Sequence, residues 1–256
     1  MDKHNLVFNT LVSQKRINNG IKQHELFDEI LSLGFNSIEV RRELFSNIKE
    51  EISKISNLAK DKGIELFYSV PDQIFLEGGG LNPKISEYFE EGELLGALNI
   101  KMTIGDYQYP QQLEKLKFIN NQPFKFTVEN DQTQQSGTIN NIKSFLEDAK
   151  DAGLNIGYTF DLGNFRYVHE NEVDGADTLS TFTTYIHLKN VSEDNGELIA
   201  TSLGKGIIDW KTILNKLPAG LPIALEYPSN NNDEILKDKN SIEVIENERQ
   251  QSDNKR

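Results

Sequence analysis

Residues 124–131 read FKFTVEND and residues 156–164 read IGYTFDLGN. Two later runs have the same form, TYIHLKNV at 184–191 and PIALEYPS at 222–229. Each is a short apolar run with one acid or imidazole near its end: Glu129, Asp161, His187 and Glu226. Their neighbours Val128, Phe160, Ile186, Leu188 and Leu225 are apolar. Side chains alternate faces along a strand, so the four polar residues share one face and their neighbours the other. In a barrel of parallel strands the apolar neighbours pack on outer helices and the polar four converge on the axis. Three carboxylates and an imidazole meeting there repel one another without a cation. The pattern therefore predicts a divalent-metal site.

Four earlier segments are also strand-like: NLVFNTLV at 5–12, NSIEVRR at 36–42, IELFYSV at 64–70 and NIKMTIGD at 99–106. Helical patterns lie between the strands. QHELFDEILSLGF carries Leu26, Ile30, Leu31 and Leu33 at helical spacing and stops at Gly34. NIKEEISKISNLAKDKG repeats Ile48, Ile52, Ile55 and Leu58 and stops at Gly63. NPKISEYFEEGELLGALN enters a helix at Pro83, just after Asn82. TINNIKSFLEDAKDAG ends at Gly153 and DWKTILNKLP at Pro218. Eight such units argue for parallel strands with crossover helices. The chain of 256 residues matches the roughly 250 of a (β/α)8 barrel. The expectation is one α/β domain over residues 1–250. After Ser229, Ile235, Leu236, Ile242, Val244 and Ile245 suffice for a last short helix, and residues 251–256 are expected to be a disordered tail.

A net charge of −13 opposes a nucleic-acid partner, which calls for clustered Lys and Arg. The absence of cysteine excludes disulfides, thiolate metal sites and a cysteine nucleophile. The opening MDKHNLVFNTLV is too short and polar for a signal peptide. No run approaches the roughly 20 apolar residues of a membrane span. A cytoplasmic protein is expected.

The order Glu129, Asp161, His187, Glu226, in the contexts VEN, FDLGN, IHLKN and LEY, resembles the xylose-isomerase-like TIM barrel superfamily. The resemblance is to its sugar phosphate isomerase/epimerase branch, which includes ketose 3-epimerases, hydroxypyruvate isomerases and inosose dehydratases. LGALNIKMTIGD resembles that branch's approach to the fourth strand, and SLGKGIIDWKTIL its loop after the seventh. It implies one divalent ion held by the four residues; Mn²⁺, Mg²⁺ or Co²⁺ suits the donor set best, and Zn²⁺ is compatible. It implies isomerisation or epimerisation of a small sugar, sugar phosphate or related hydroxy-carbonyl compound through a metal-stabilised enediolate. Glu129 and Glu226 would be ligands and also move protons, as the matching glutamates do in the epimerases. Asp161 and His187 would be ligands chiefly. Such barrels are often dimers or tetramers, so a homo-oligomer is compatible with the resemblance. One departure stands out. The sugar epimerases usually carry a His shortly after the aspartate and an Arg shortly after the strand-seven His. Here those places hold Asn164, Lys189 and Asn190, which points toward other isomerase-like members.

Glu39 and Arg41 share a strand phase and are candidate substrate contacts, as is Lys189, two residues past His187. Asn164 is expected to hold its loop and His169 to be structural. His4 and His24 are assigned nothing. Gly78–Gly80 reads as a flexible loop, Lys205 as a weak phosphate candidate and Trp210 as packing. The alternatives are a lyase of inosose or dehydroshikimate type on the same scaffold, or a non-catalytic barrel. A DNA-repair endonuclease needs a larger His and carboxylate cluster than four histidines supply.

Overall fold

The alternation of apolar and polar residues makes strands with two different faces. The computed structural model, which describes residues 6–253, arranges eight of them around one axis. They are β1 Leu6–Asn9, β2 Ser37–Arg41, β3 Glu65–Leu76, β4 Asn99–Gly105, β5 Lys125–Glu129, β6 Ile156–Asp161, β7 Thr183–Leu188 and β8 Ile223–Leu225. Each pairs in parallel with the next. β8 pairs with β1 through Leu6↔Ile223 and Phe8↔Leu225, which closes the ring. The fold is a (β/α)8 TIM barrel, as the alternation of segments predicts.

Phe67 of β3 and Tyr185 of β7 come from opposite walls and meet with ring centroids 5.0 Å apart. Their phase therefore points to the axis. With Val7 and Ala224 they form a small apolar plug inside the barrel. The alternate residues, among them Phe8, Ile38, Ile100, Val128 and Ile186, belong to the continuous apolar layer under the helices. Full burial of each such side chain contributes about 1.5–3 kcal/mol.

The helices follow their sequence signals with local differences. Ile48–Lys62 starts at Asn47, whose side chain accepts from the Glu50 N–H, and stops at Gly63 with φ +66°. Ile85–Leu95 starts two residues after Pro83, with Lys84 as its cap. In that helix a Cβ on Gly92 would lie 2.2 Å from Ile100 Cδ1, so glycine permits the close approach to β4. Between β4 and β5 lies a 3-10 helix, Pro110–Asn121, that the periodicity reading did not predict. Its buried Leu113, Leu116 and Ile119 recur every three residues, the period of a 3-10 helix. β3 continues past Val70 because its register shifts between Ser69 and Gln73, which accommodates Pro71. Phe75 and Leu76 then pair with Leu81 and Gly80, so Gly78–Gly80 lies in and beside a hairpin turn.

The chain end departs from expectation. The last helix, Asn232–Asp253, has 22 residues and is not short, and residues 251–253 are helical where a tail was expected. Buried Ile235 and Ile242 dock it. Asp238 accepts from Tyr227 OH at 2.7 Å and from the Leu203 N–H at 2.9 Å. Residues 254–256, the rest of the expected tail, lie outside the described residues, as does His4. No helix among the described residues is long and apolar enough to cross a membrane.

Candidate metal centre

β5, β6, β7 and β8 are consecutive around the ring, and their C-terminal ends deliver Glu129, Asp161, His187 and Glu226 to one place. All four are buried, and each offers a ligand atom within 4.8 Å of the others. The His187 ring is fixed by its far nitrogen. Nε2 lies 2.8 Å from Glu39 Oε2, which also accepts from Tyr185 OH. That contact turns Nδ1 toward Glu129 Oε1 at 2.6 Å and Glu226 Oε2 at 3.4 Å. Yet neither His187 Nδ1 nor Glu129 Oε1 makes a hydrogen bond among the described residues. The two atoms meet each other at 2.6 Å without the alignment of a hydrogen bond, an arrangement that fits two ligand atoms of one cation.

The strand-end loops hold Asp161 firmly. Asp161 Oδ1 accepts the N–H groups of Gly163 and Asn164 at 2.9 and 3.0 Å. The Asn130 side chain donates to the Asp161 carbonyl and accepts from the Asp161 N–H, both at 2.9 Å, and also accepts from Tyr158 OH. Asn164 donates to the Asn130 carbonyl at 2.8 Å, so it ties the two loops together as expected of a loop-holding residue.

Cations from the chain itself surround the four. Lys189 Nζ bridges Asp161 Oδ2 at 2.6 Å and Glu226 Oε2 at 3.1 Å. A Cβ on Gly163 would stand 2.7 Å from Lys189 Cγ, so glycine leaves the lane that this side chain takes. Arg41 pairs with Glu226 Oε1, to which Asn9 also donates at 3.3 Å. Lys101 of β4 pairs with Glu129 Oε2. Glu129 is thus divided, with Oε1 toward His187 and Oε2 on Lys101, whereas both Glu226 oxygens meet a basic side chain, Oε1 Arg41 and Oε2 Lys189.

Burial pushes the Asp161 carboxyl up to about 8; Lys189 opposes this, while Glu226 and Glu129 add to it. Burial also works against the Glu226 carboxylate, but Lys189, His187 and Arg41 outweigh it and hold its pKa well below the usual range. Among protein charges alone, burial disfavours the His187 imidazolium, and Glu39, Glu226 and Glu129 overcome that to raise its pKa. Lys101 is likewise kept charged against burial, by Glu129 first and Glu226 next.

No family model matches the chain. No curated protein matches it either. Solved structures do. A xylose isomerase domain containing protein from Salmonella typhimurium LT2 superposes with a TM-score of 0.73 at 15% identity, over 96% of this chain and 98% of that one. An L-ribulose 3-epimerase gives 0.72 at 12% identity, over 97% and 96%. The IolI protein with a bound zinc atom gives 0.68 at 13% identity, over 94% and 98%. The chain shares the TIM-barrel fold of these structures.

Within this barrel, the structure brings Glu39, Arg41 and Lys189 to the same cluster as the four candidate ligands. Glu39 touches His187 and Tyr185, and Arg41 and Lys189 touch carboxylates. The weaker candidates lie apart. His169 has φ +59° between the short helices Asn164–Tyr167 and Glu172–Leu179. Lys205 is exposed and pairs with Glu234, and Trp210 is buried at the start of the helix Trp210–Leu214. Sequence reasoning missed Lys101, Asn9, Asn130 and Tyr185. A signal for Lys101 was available: it stands between Ile100 and Met102, the same polar-between-apolar pattern that picked out the four.

Proposed function

We propose that this barrel is a divalent-metal-dependent isomerase or epimerase of a small hydroxy-carbonyl compound of the sugar class. The observation that carries this reading is the convergence of Glu129, Asp161, His187 and Glu226, with ligand atoms within 4.8 Å of one another. Two structural neighbours support it, the L-ribulose 3-epimerase and the zinc-bound IolI protein. The four residues would hold the ion, which when bound supplies Lewis acidity to adjacent substrate oxygens and so acidifies the neighbouring C–H. Three carboxylates and one imidazole suit Mn²⁺, Mg²⁺ or Co²⁺, and Zn²⁺ is accommodated.

Glu129 and Glu226 stand at the two ends of the ligand-bearing arc, with β6 and β7 between them. A substrate lying across the arc has one carboxylate on each side. In an epimerisation one glutamate removes the carbon-bound proton and the other returns a proton to the opposite face. In an isomerisation a single glutamate does both. Lys189, whose Nζ bridges Asp161 and Glu226, would donate to a substrate oxygen as negative charge grows on it. Glu39 holds His187 in the orientation that ligation needs.

The test follows Mn²⁺-loaded protein in deuterated water with a panel of ketoses, ketose phosphates and keto acids. Deuterium is expected at the carbon next to the carbonyl, with isomer or epimer formed. Glu129→Gln and Glu226→Gln are expected to lower kcat by about 10² to 10⁴-fold where each acts as base. Near-normal turnover in both variants would take proton transfer away from this pair. Loss of water from the substrate in the same screen would identify lyase chemistry instead.

A further inference from the structure

Lys189 follows the last residue of β7, so it stands at the barrel mouth two places beyond His187. Its ammonium makes two contacts, Asp161 Oδ2 at 2.6 Å and Glu226 Oε2 at 3.1 Å. Both carboxylates belong to the candidate metal centre. Their other oxygens are taken. Asp161 Oδ1 accepts the N–H groups of Gly163 and Asn164. Glu226 Oε1 accepts from Arg41 and Asn9. The oxygens left to face an ion are therefore the two that Lys189 holds. From within the chain, Lys189 fills the place of a cation.

An ion and the ammonium share those oxygens only at a cost. Ligand reach is roughly 2 to 2.5 Å, which puts any ion on Asp161 Oδ2 within about 5 Å of Nζ. Asp161, Glu226 and Lys189 are all buried, so little water screens the repulsion between a dication and an ammonium. The lysine also lies in a lane made for it. A Cβ on Gly163 would stand 2.7 Å from Lys189 Cγ and 3.0 Å from Cε. Gly163 has φ −79°, a conformation open to most residues, so its missing side chain serves the lysine stem and not the backbone. Lys101 differs. It pairs with Glu129 Oε2 and not with the Oε1 atom that meets His187.

Resting on the metal-centre reading above, we propose that Lys189 is a built-in counter-ion that an incoming divalent ion displaces. In the ion-free barrel its ammonium keeps Asp161 and Glu226 paired and in place. When the two carboxylates turn to an ion, Nζ leaves them. Only then is the ammonium free to meet a substrate oxygen. The site therefore fills in one order, ion first and substrate second.

Amine acylation of the whole protein reads the displacement directly. Chelator-treated protein, with and without saturating Mn²⁺, is given acetic anhydride, and Lys189 and Lys101 are followed by peptide mass spectrometry. Mn²⁺ is expected to speed acylation of Lys189 about tenfold or more, the weight of one lost charge-assisted hydrogen bond, and to leave Lys101 protected. Calorimetry supplies a second reading. Lys189→Met is expected to bind Mn²⁺ about tenfold more tightly than wild type and, free of ion, to melt at a lower temperature. Gly163→Ala keeps every charge and ligand, crowds the lysine stem, and should also tighten Mn²⁺ binding. A lysine that merely braces the ligands predicts the opposite sign, weaker Mn²⁺ binding in Lys189→Met. That result, or Lys189 equally protected in Mn²⁺-loaded wild type, would overturn the displacement and leave the metal centre standing. So would equal exposure of Lys101, which would mean a general loosening. If wild type takes up no Mn²⁺, the metal reading itself fails and this inference falls with it.

Discussion

His187 gains its orientation from the opposite side of the barrel. Glu39 Oε2 accepts at Nε2 and is itself held by Tyr185 OH, so the ring presents Nδ1 to the carboxylates. Partners of this kind govern metal affinity almost as strongly as the ligands do. Glu39→Gln is expected to lower Mn²⁺ affinity about 10 to 100-fold although Glu39 touches no ion. Asp161→Asn and His187→Ala should lower it as well, since each takes charge or a coordinating atom from the ion. Calorimetric titration checks all three, and unchanged affinity in the two ligand variants would put the ion elsewhere. The site was legible at this scale wherever a polar residue interrupts an apolar strand near its end. That marker found Glu129, Asp161, His187, Glu226, Glu39 and Arg41. Lys101 carries it too, but a lysine in a strand ordinarily reads as solvated. Only the barrel's closure shows that its ammonium stays inside and meets Glu129 on the next strand.

At the scale of elements, the site depends on how the ends of β5 and β6 are tied. Asn130 satisfies three buried groups at once, the Asp161 N–H, the Asp161 carbonyl and Tyr158 OH. Asn130→Ala leaves them without a partner and is expected to cost on the order of 3 kcal/mol in urea denaturation. It should also weaken Mn²⁺ binding, because Asp161 loses its fixed backbone. A loss below about 0.5 kcal/mol would mean that water replaces the amide. Most elements could be read from the sequence because period 2 and period 3.6 separate cleanly, as in TYIHLKNV and NIKEEISKISNLAKDKG. Two could not. The stretch Pro110–Asn121 buries every third residue, which fits neither template. The final helix was expected only as a short one; its full length looks too polar to persist, and it is held by tertiary partners such as Tyr227 and Leu203 that sequence spacing does not reveal.

For the whole molecule, the four candidate ligands join four successive strands of one ring. An ion held by them binds the folded barrel and not the extended chain, so it adds to stability by mass action. With Mn²⁺ at about 100 times its Kd the gain is about 2.7 kcal/mol, or about 5–10 °C in Tm for a chain of this size. A chelator should reverse it. A Tm that does not respond to Mn²⁺ after chelator treatment would show that the folded barrel holds no ion.

The seam between β8 and β1 also sets the order of events while the chain is being made. Leu6–Asn9 leaves the ribosome long before Ile223–Leu225, one of its two partner strands. Asn9 and Glu226, which meet in the finished site, are 217 positions apart. Until synthesis reaches that point, β1 has an unpaired edge that another nascent chain could join. The arc of ligands is short of its last glutamate for the same interval. Ring closure and completion of the candidate metal centre therefore happen together, so an ion arriving during translation would meet three of the four candidate ligands and a half-open wall. Such contacts between distant residues form slowly, and metal uptake by newly made protein should keep pace with closure of the seam rather than with the supply of the ion.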